Sequence, residues 1–248
     1  GVAGIWRIAS RLGDQRGERL PALLRHPLVD VDAGRHLVDI VDVPAHLLEH
    51  SVNFRKECIG VNPKFGVWAH ISGSDLVRDS DGTMYVPGSE TPAIFRVAPG
   101  GETTVWTTAI DGYPNGITLT PDGSAVVVAQ SHPEDFDGGR IWRVPIEPDG
   151  SAGTPEVMAE LFHTVPDGVA YDVEGNCYVA HYTPDRIDRI RPGGTVETVV
   201  EDWEAVHLNA PTNIAFCGAH LELVVAACVG EEFLAIADLG VRGSPLRR

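Results

Sequence analysis

Residues 166–194 read PDGVAYDVEGNCYVAHYTPDRIDRIRPGG. A polar trio opens the stretch and a short apolar run follows. Val173-Glu174-Gly175 then supplies a turn, and a Val/Tyr-rich run comes next. A third run, DRIDRIRPGG, closes it. Short alternating runs bounded by Gly, Pro and Asp are the signature of strands joined by tight turns. Register against the rest of the chain decides whether Asp167 is one more turn residue or a carboxylate placed for chemistry.

The pattern recurs. GSDLVRDSDGTMYVPG from Gly73, PNGITLTPDGSAVVVAQ from Pro114 and PTNIAFCGAHLELVVAA from Pro211 share its order of trio, run, turn and run. Third runs follow in AIFRVAPGG and GRIWRVPIEPDG, and fourth runs in TTVWTT and TVETVV. The second residues of the trios, Ser74, Asn115, Asp167 and Thr212, are 41, 52 and 45 residues apart. Four-strand units at that spacing predict an all-β fold, a β-propeller of four-stranded blades.

Register separates the aspartates. Pro121-Asp122-Gly123 falls between the first two runs of its repeat, where a hairpin turn is needed, and Pro148-Asp149-Gly150 fills a later turn. Pro166-Asp167-Gly168 falls earlier, just ahead of a first strand. First strands line the channel of a propeller, so Ser74, Asn115, Asp167 and Thr212 are expected around one mouth. All four carry side-chain oxygens, the donors that hard cations prefer. The plainer alternative is that these residue types favour tight turns entering strands.

Composition excludes several classes. The formal net charge of -16 leaves no excess of cations for a phosphate backbone, so no nucleic-acid partner is expected. The early arginines (Arg7, Arg11, Arg16, Arg19, Arg25) are interleaved with acids from Asp14 onward and read as a solvated face. No apolar run reaches the roughly 18 residues of a membrane span, and no secretory signal is evident, so a cytoplasmic protein without a membrane partner is expected. Cys58, Cys177, Cys217 and Cys228 form no Cys-x-x-Cys pair. They read as buried thiols, with Cys217 and Cys228 able to face each other across a hairpin. No Gly-x-Ser-x-Gly, His-Glu-x-x-His or phosphate-cradling Gly loop occurs.

At PDGVAYDVEGNCYVAHYTPDRIDRIRPGG the chain resembles the regucalcin/gluconolactonase (senescence marker protein) family of metal-dependent lactonases. DGYPNGITLTPDG, APTNIAFCG and the ending FLAIADLGVRGSPL are similar to the family's other blades and closing strand. The resemblance implies a single six-bladed propeller over 1–248, with 73–246 matching well and 1–72 diverging; about five repeat starts are countable. It implies one divalent ion at the channel mouth, calcium first, with zinc, magnesium or manganese as other options. The family's metal-binding Asn falls on Asn115, and its metal-binding and catalytic Asp on Asp167. A substrate-side Asn falls on Ser74, followed by Asp75; Thr212 and Asn213 complete the mouth. HPLVDVDAGRHLVDIVDVPAHLL from His26 resembles the family's first blade. There the family's Glu ligand is replaced by Arg25, a cation unable to ligate a metal, and His26 beside it is a nitrogen ligand or a turn histidine.

The implied function is metal-dependent hydrolysis of a lactone or small ester, with Asp167 as ligand and general base. The alternatives are a non-catalytic propeller that binds a small molecule or partner, and one recruited to a different reaction. The expected partner is a small-molecule substrate, and the expected state a monomer or homodimer. His132 and His207 are expected to border the mouth, and His181 to pack one strand away from the channel.

Overall fold

The computed structural model describes residues 6–9, 75–88, 92–131, 138–230 and 233–245. Arg25, His26, Cys58, Ser74 and His132, with the repeat start near His26, lie outside the described residues. In chain order the strands are β1 (Trp6–Ala9), β2 (Val77–Arg78), β3 (Met84–Pro87), β4 (Ile94–Val97), β5 (Thr103–Thr107), β6 (Tyr113–Leu119), β7 (Ala125–Ser131) and β8 (Gly139–Pro145). They continue as β9 (Glu156–Leu161), β10 (Val165–Tyr171), β11 (Cys177–Thr183), β12 (Arg186–Ile190), β13 (Val196–Glu201), β14 (Pro211–Cys217), β15 (Leu223–Cys228) and β16 (Phe233–Ala237). There is no helix among the described residues. The strands form four four-stranded sheets, β2-β3-β4-β5, β6-β7-β8-β9, β10-β11-β12-β13 and β14-β15-β16-β1. All neighbours within them are antiparallel.

The sequence of β7 shows why the sheets stack. Every residue of AVVVAQS is buried. Successive side chains of a strand point to opposite faces, so such a run needs cover on both sides. Val126 and Val128 pack with Tyr85 and Ile94 of the first sheet. Val127 and Ala129 pack with Val169 and Val179 of the third. β11 repeats the logic: Val179 faces back, while Tyr178 and Ala180 join Ile214, Val224 and Ala226 of the fourth sheet. Each such side chain contributes on the order of 1.5–3 kcal/mol through burial. Consecutive sheets therefore lie face to face as propeller blades.

The turns behave as their residues dictate. Asp122 Oδ1 accepts from Ser124 N at 3.0 Å and Thr120 Oγ1 at 2.7 Å, and these bonds hold its carboxyl down to about 2. Asp149 accepts from Ser151 N at 2.9 Å in the same way. Gly123 and Gly150 take the left-handed φ values, 70° and 80°, that these turns require. In the third sheet the turn aspartate, Asp172, is fully buried. Its Oδ1 accepts from Glu174 N and Asn176 N, its Oδ2 from Asn176 Nδ2 and Tyr178 Oη.

Two features depart from expectation. β1 joins the last sheet, Trp6 opposite Ala237 and Ala9 opposite Leu234, and gives β16 a partner along an otherwise open edge. Cys217 pairs with Leu223 and Cys228 with Pro211, at opposite ends of their hairpin, so these two thiols do not face each other. Both are free and buried, as is Cys177.

Candidate functional site

In the second, third and fourth sheets the trio residues sit inside strands rather than ahead of them, whereas Asp75 precedes β2 as expected. In the third sheet Pro166 pairs with His181 and Val169 with Val179. Two residues, Asp167 and Gly168, therefore oppose one, Ala180. The second sheet does the same: Pro114 pairs with Gln130 and Ile117 with Val128, leaving Asn115 and Gly116 opposite Ala129. In the fourth sheet only Thr212 is extra, between the pairs Pro211–Cys228 and Asn213–Ala227. These are β-bulges, which bend a strand and re-aim its side chains. Pro, Gly and Asx residues look like a turn in sequence, but Gly within a strand also marks a bulge. Asn115 and Asp167 thus occupy one station in adjacent sheets.

The glycines bring these stations together. A Cβ on Gly116 would overlap the carbonyl oxygen of Asp167, and one on Gly168 would stand 2.7 Å from Asn213 Oδ1. The inner strands of the second, third and fourth sheets therefore touch backbone to backbone at the mouth. Asp75 ties in the first sheet. Its Oδ1 accepts from Leu76 N at 2.8 Å and its Oδ2 from Ile117 N of β6 at 3.3 Å. Burial pushes the Asp75 carboxyl up to about 6, against the pull of those two N–H groups. Asn213 mirrors Asp75, its Oδ1 accepting from Ile214 N at 2.8 Å. The Thr212 hydroxyl donates to the Ala227 carbonyl at 3.4 Å. Of the expected mouth residues, Asp75, Asn115, Asp167, Thr212 and Asn213 are brought to this end of the sheets; Ser74, Arg25 and His26 lie outside the described residues.

The oxygen donors suit a hard cation. No group of three or more His, Cys, Asp or Glu side chains gathers among the described residues. Asn115 and Asp167 would offer a cation one amide oxygen and one carboxylate, donor types that fit calcium or magnesium rather than zinc.

Sequence reasoning missed the surroundings of the bulges. Gln130, His181 and Cys228 stand opposite the three bulge-opening prolines, and all three are buried. Their shared phase in the repeat was the available signal. The four exposed aromatic side chains among the described residues, Tyr113, Phe162, Tyr182 and Trp203, also all stand at this end of the second and third sheets. Trp203, 79% exposed, is carried by a constrained loop. Asp202 accepts there from His207 N at 2.6 Å and Leu208 N at 3.0 Å, while the Asp185 carbonyl accepts from Asp202 N at 2.9 Å. Leu208 is fully buried beneath it. His207 is exposed at this end, as expected.

A family model described as "SMP-30/Gluconolactonase/LRE-like region" matches residues 62–228. The chain belongs to this family. A second model, "circularly permuted ATP-grasp type 2", matches residues 6–94 and overlaps the first. Among curated proteins, a 6-deoxy-6-sulfogluconolactonase of Pseudomonas putida is 28% identical over 110 residues, which cover 43% of this chain and 35% of that protein. An uncharacterised Synechocystis protein is 42% identical over 59 residues, 24% of this chain and 12% of that protein. The chain thus matches only a minor part of each relative's length. Among solved structures, a calcium-binding regucalcin of Agrobacterium tumefaciens superposes with a TM-score of 0.55 at 22% identity, covering 71% of this chain and 64% of that one. That likeness shows the fold. The family assignment supports a lactonase reading at a coarse level. No helix among the described residues is long and apolar enough to cross a membrane.

Proposed function

We propose that the protein hydrolyses a lactone or related small ester at the channel mouth, with Asp167 as cation ligand and general base. The observation that carries this reading is the matched pair of bulges, which sets Asn115 and Asp167 at one station of adjacent, touching sheets. Asn115 and Asp167 would hold the ion. A bound calcium ion supplies Lewis acidity toward a carbonyl oxygen. Asp167 takes the proton of an attacking water and returns it to the leaving oxygen. Tyr113, Phe162, Tyr182 and Trp203 offer apolar surface to the part of the substrate that does not react. The partner is a small molecule, and the family's sugar lactones are the first substrates to try.

Calcium titration by calorimetry, followed by aldonolactone opening with and without chelator, tests the reading. Chelator-sensitive turnover is expected, falling about 100-fold or more in Asp167→Asn. A wild-type rate in Asp167→Asn at saturating calcium sinks the assignment.

A further inference from the structure

The residue opposite each bulge-opening proline differs between sheets, and the difference follows what the bulge carries. In the second sheet, Gln130 spans to the third strand of its sheet. Its Oε1 accepts from Trp142 Nε1 at 2.6 Å, and its Nε2 donates to the Gly138 carbonyl. In the fourth sheet, the Cys228 thiol meets backbone groups: the Ala226 carbonyl of its own strand at 3.9 Å, and the N–H groups of Asn209 and of Ala235 on β16. In the third sheet, His181 Nε2 stands 3.0 Å from Asp188 Oδ2 on β12, both side chains buried. Asp188 is gripped in turn by Arg186 Nη2 at 2.9 Å and by Thr198 Oγ1 of β13 at 2.9 Å. Bracing of one side chain by another across the sheet is present behind Asn115 and Asp167; behind Thr212, among the described residues, the Cys228 thiol meets backbone groups instead.

The brace behind Asp167 is costly as packing alone. Taking a carboxylate and a polar imidazole out of water is unfavourable unless both are well paired. A leucine would fill the site more simply. Burial pulls the His181 pKa down, outweighing the upward pull of Asp188, and Arg186 adds to the downward side. His181, Arg186 and Thr198 hold Asp188 ionised against its own burial. The arrangement matches a neutral imidazole whose Nε2 faces Asp188 Oδ2, although neither ring nitrogen makes a well-aligned hydrogen bond among the described residues.

We propose that His181, braced by Asp188, is the positioning residue for Asp167. It fixes β11 where β10 departs from the ladder, so that the two-residue bulge opens at Asp167 and not one residue to either side. The proposal rests on the reading in which Asp167 does the chemistry, and it concerns a residue that touches neither substrate nor ion.

The test uses the full chain with calcium alone as probe, in wild type, His181→Ala, His181→Gln, Asp188→Asn and Tyr178→Phe. Calorimetry reads calcium affinity. Nitrogen-resolved NMR reads the His181 ring and the backbone amides of Asp167 and Gly168. A neutral ring is expected at pH 7, the direction in which burial moves the imidazole. His181→Ala and Asp188→Asn are expected to weaken calcium 10- to 100-fold, roughly the range for partners behind metal ligands. They should shift the Asp167 and Gly168 amides, and lower kcat on an aldonolactone with little change in KM. His181→Gln should recover most of this, since a Gln already braces the neighbouring sheet. Tyr178→Phe loosens the far end of β11 and should leave calcium affinity and both amides alone. Unmoved amides in His181→Ala overturn the proposal, as does an equal loss in Tyr178→Phe. Should His181→Ala fail to fold, wild-type amides and affinity in Asp188→Asn overturn it instead. Should the wild type bind no calcium and open no lactone, the lactonase reading fails by itself, and the amide shifts still decide whether His181 sets the bulge.

Discussion

The third and fourth sheets follow the same course of strands, yet the mouth ends of their inner strands are built differently. In the third, two residues leave the ladder, the second is a glycine, and the residue opposite is a braced histidine. In the fourth, one residue leaves the ladder, Asn213 fills the place of the glycine, and the residue opposite is a cysteine whose thiol meets backbone groups rather than a bracing side chain. The second sheet sides with the third. Being near the mouth therefore does not by itself make a residue a ligand. What distinguishes Asn115 and Asp167 is a two-residue bulge, a glycine that admits the neighbouring backbone, and a brace behind the strand. The second and third sheets carry the residues of the proposed site; the first and fourth flank it with Asp75 and Asn213.

The sharpest way to break this comparison is to remove the glycines. Gly116→Ala and Gly168→Ala drive a methyl group into the adjacent strand and should cost about 3 kcal/mol in urea unfolding. Gly100→Ala, with open space around it, should stay within about 0.5 kcal/mol. Equal stability of Gly116→Ala and Gly100→Ala would refute the backbone contact. The frame can be probed by pH. Asp75 has a folded pKa of about 6 against an ordinary 3.8, so the native state holds the extra proton between pH 4 and 6. Stability then falls as pH rises through that window, by a loss on the order of 2 kcal/mol. Asp75→Asn should abolish that slope; an unchanged slope assigns it elsewhere. Gln130→Ala strands the Trp142 indole N–H and should cost about 1–2 kcal/mol. Cys228→Ala is expected to have the smallest effect, below about 1 kcal/mol, because it loses weak thiol contacts to backbone groups and strands no side-chain partner. A cost for Cys228→Ala matching that of Gln130→Ala would erase the distinction between the sheets.

The fold was legible because blade strands are apolar on both faces and their turns are spelled by Asp and Gly; AVVVA and CYVA leave little choice. Asp122 and Asp149 were separable from Asp167 by phase alone, and the structure keeps them in turns. The bulges were less legible: Pro-Asp-Gly is a turn motif wherever it stands, and only pairing shows that Val165 and Tyr171 bracket it within one strand. The partners of the bulge were hidden differently. His181 and Asp188 lie in strands with ordinary alternation, and their meeting depends on the β11–β12 register, which no local pattern encodes. β1 is four residues in a charge-mixed segment, and its partner is at the other end of the chain.

That last pairing sets an order of events. Ala9 lies opposite Leu234, so the clasp of the fourth sheet joins residues separated by nearly the whole chain. At ordinary synthesis rates of roughly 5–20 residues per second, β1 leaves the ribosome about 10–45 seconds before the strand it must meet. The first three sheets are each complete within their own stretch of sequence and can assemble as they emerge. The fourth cannot close until β16 arrives, so among the four described sheets it is the last to be completed.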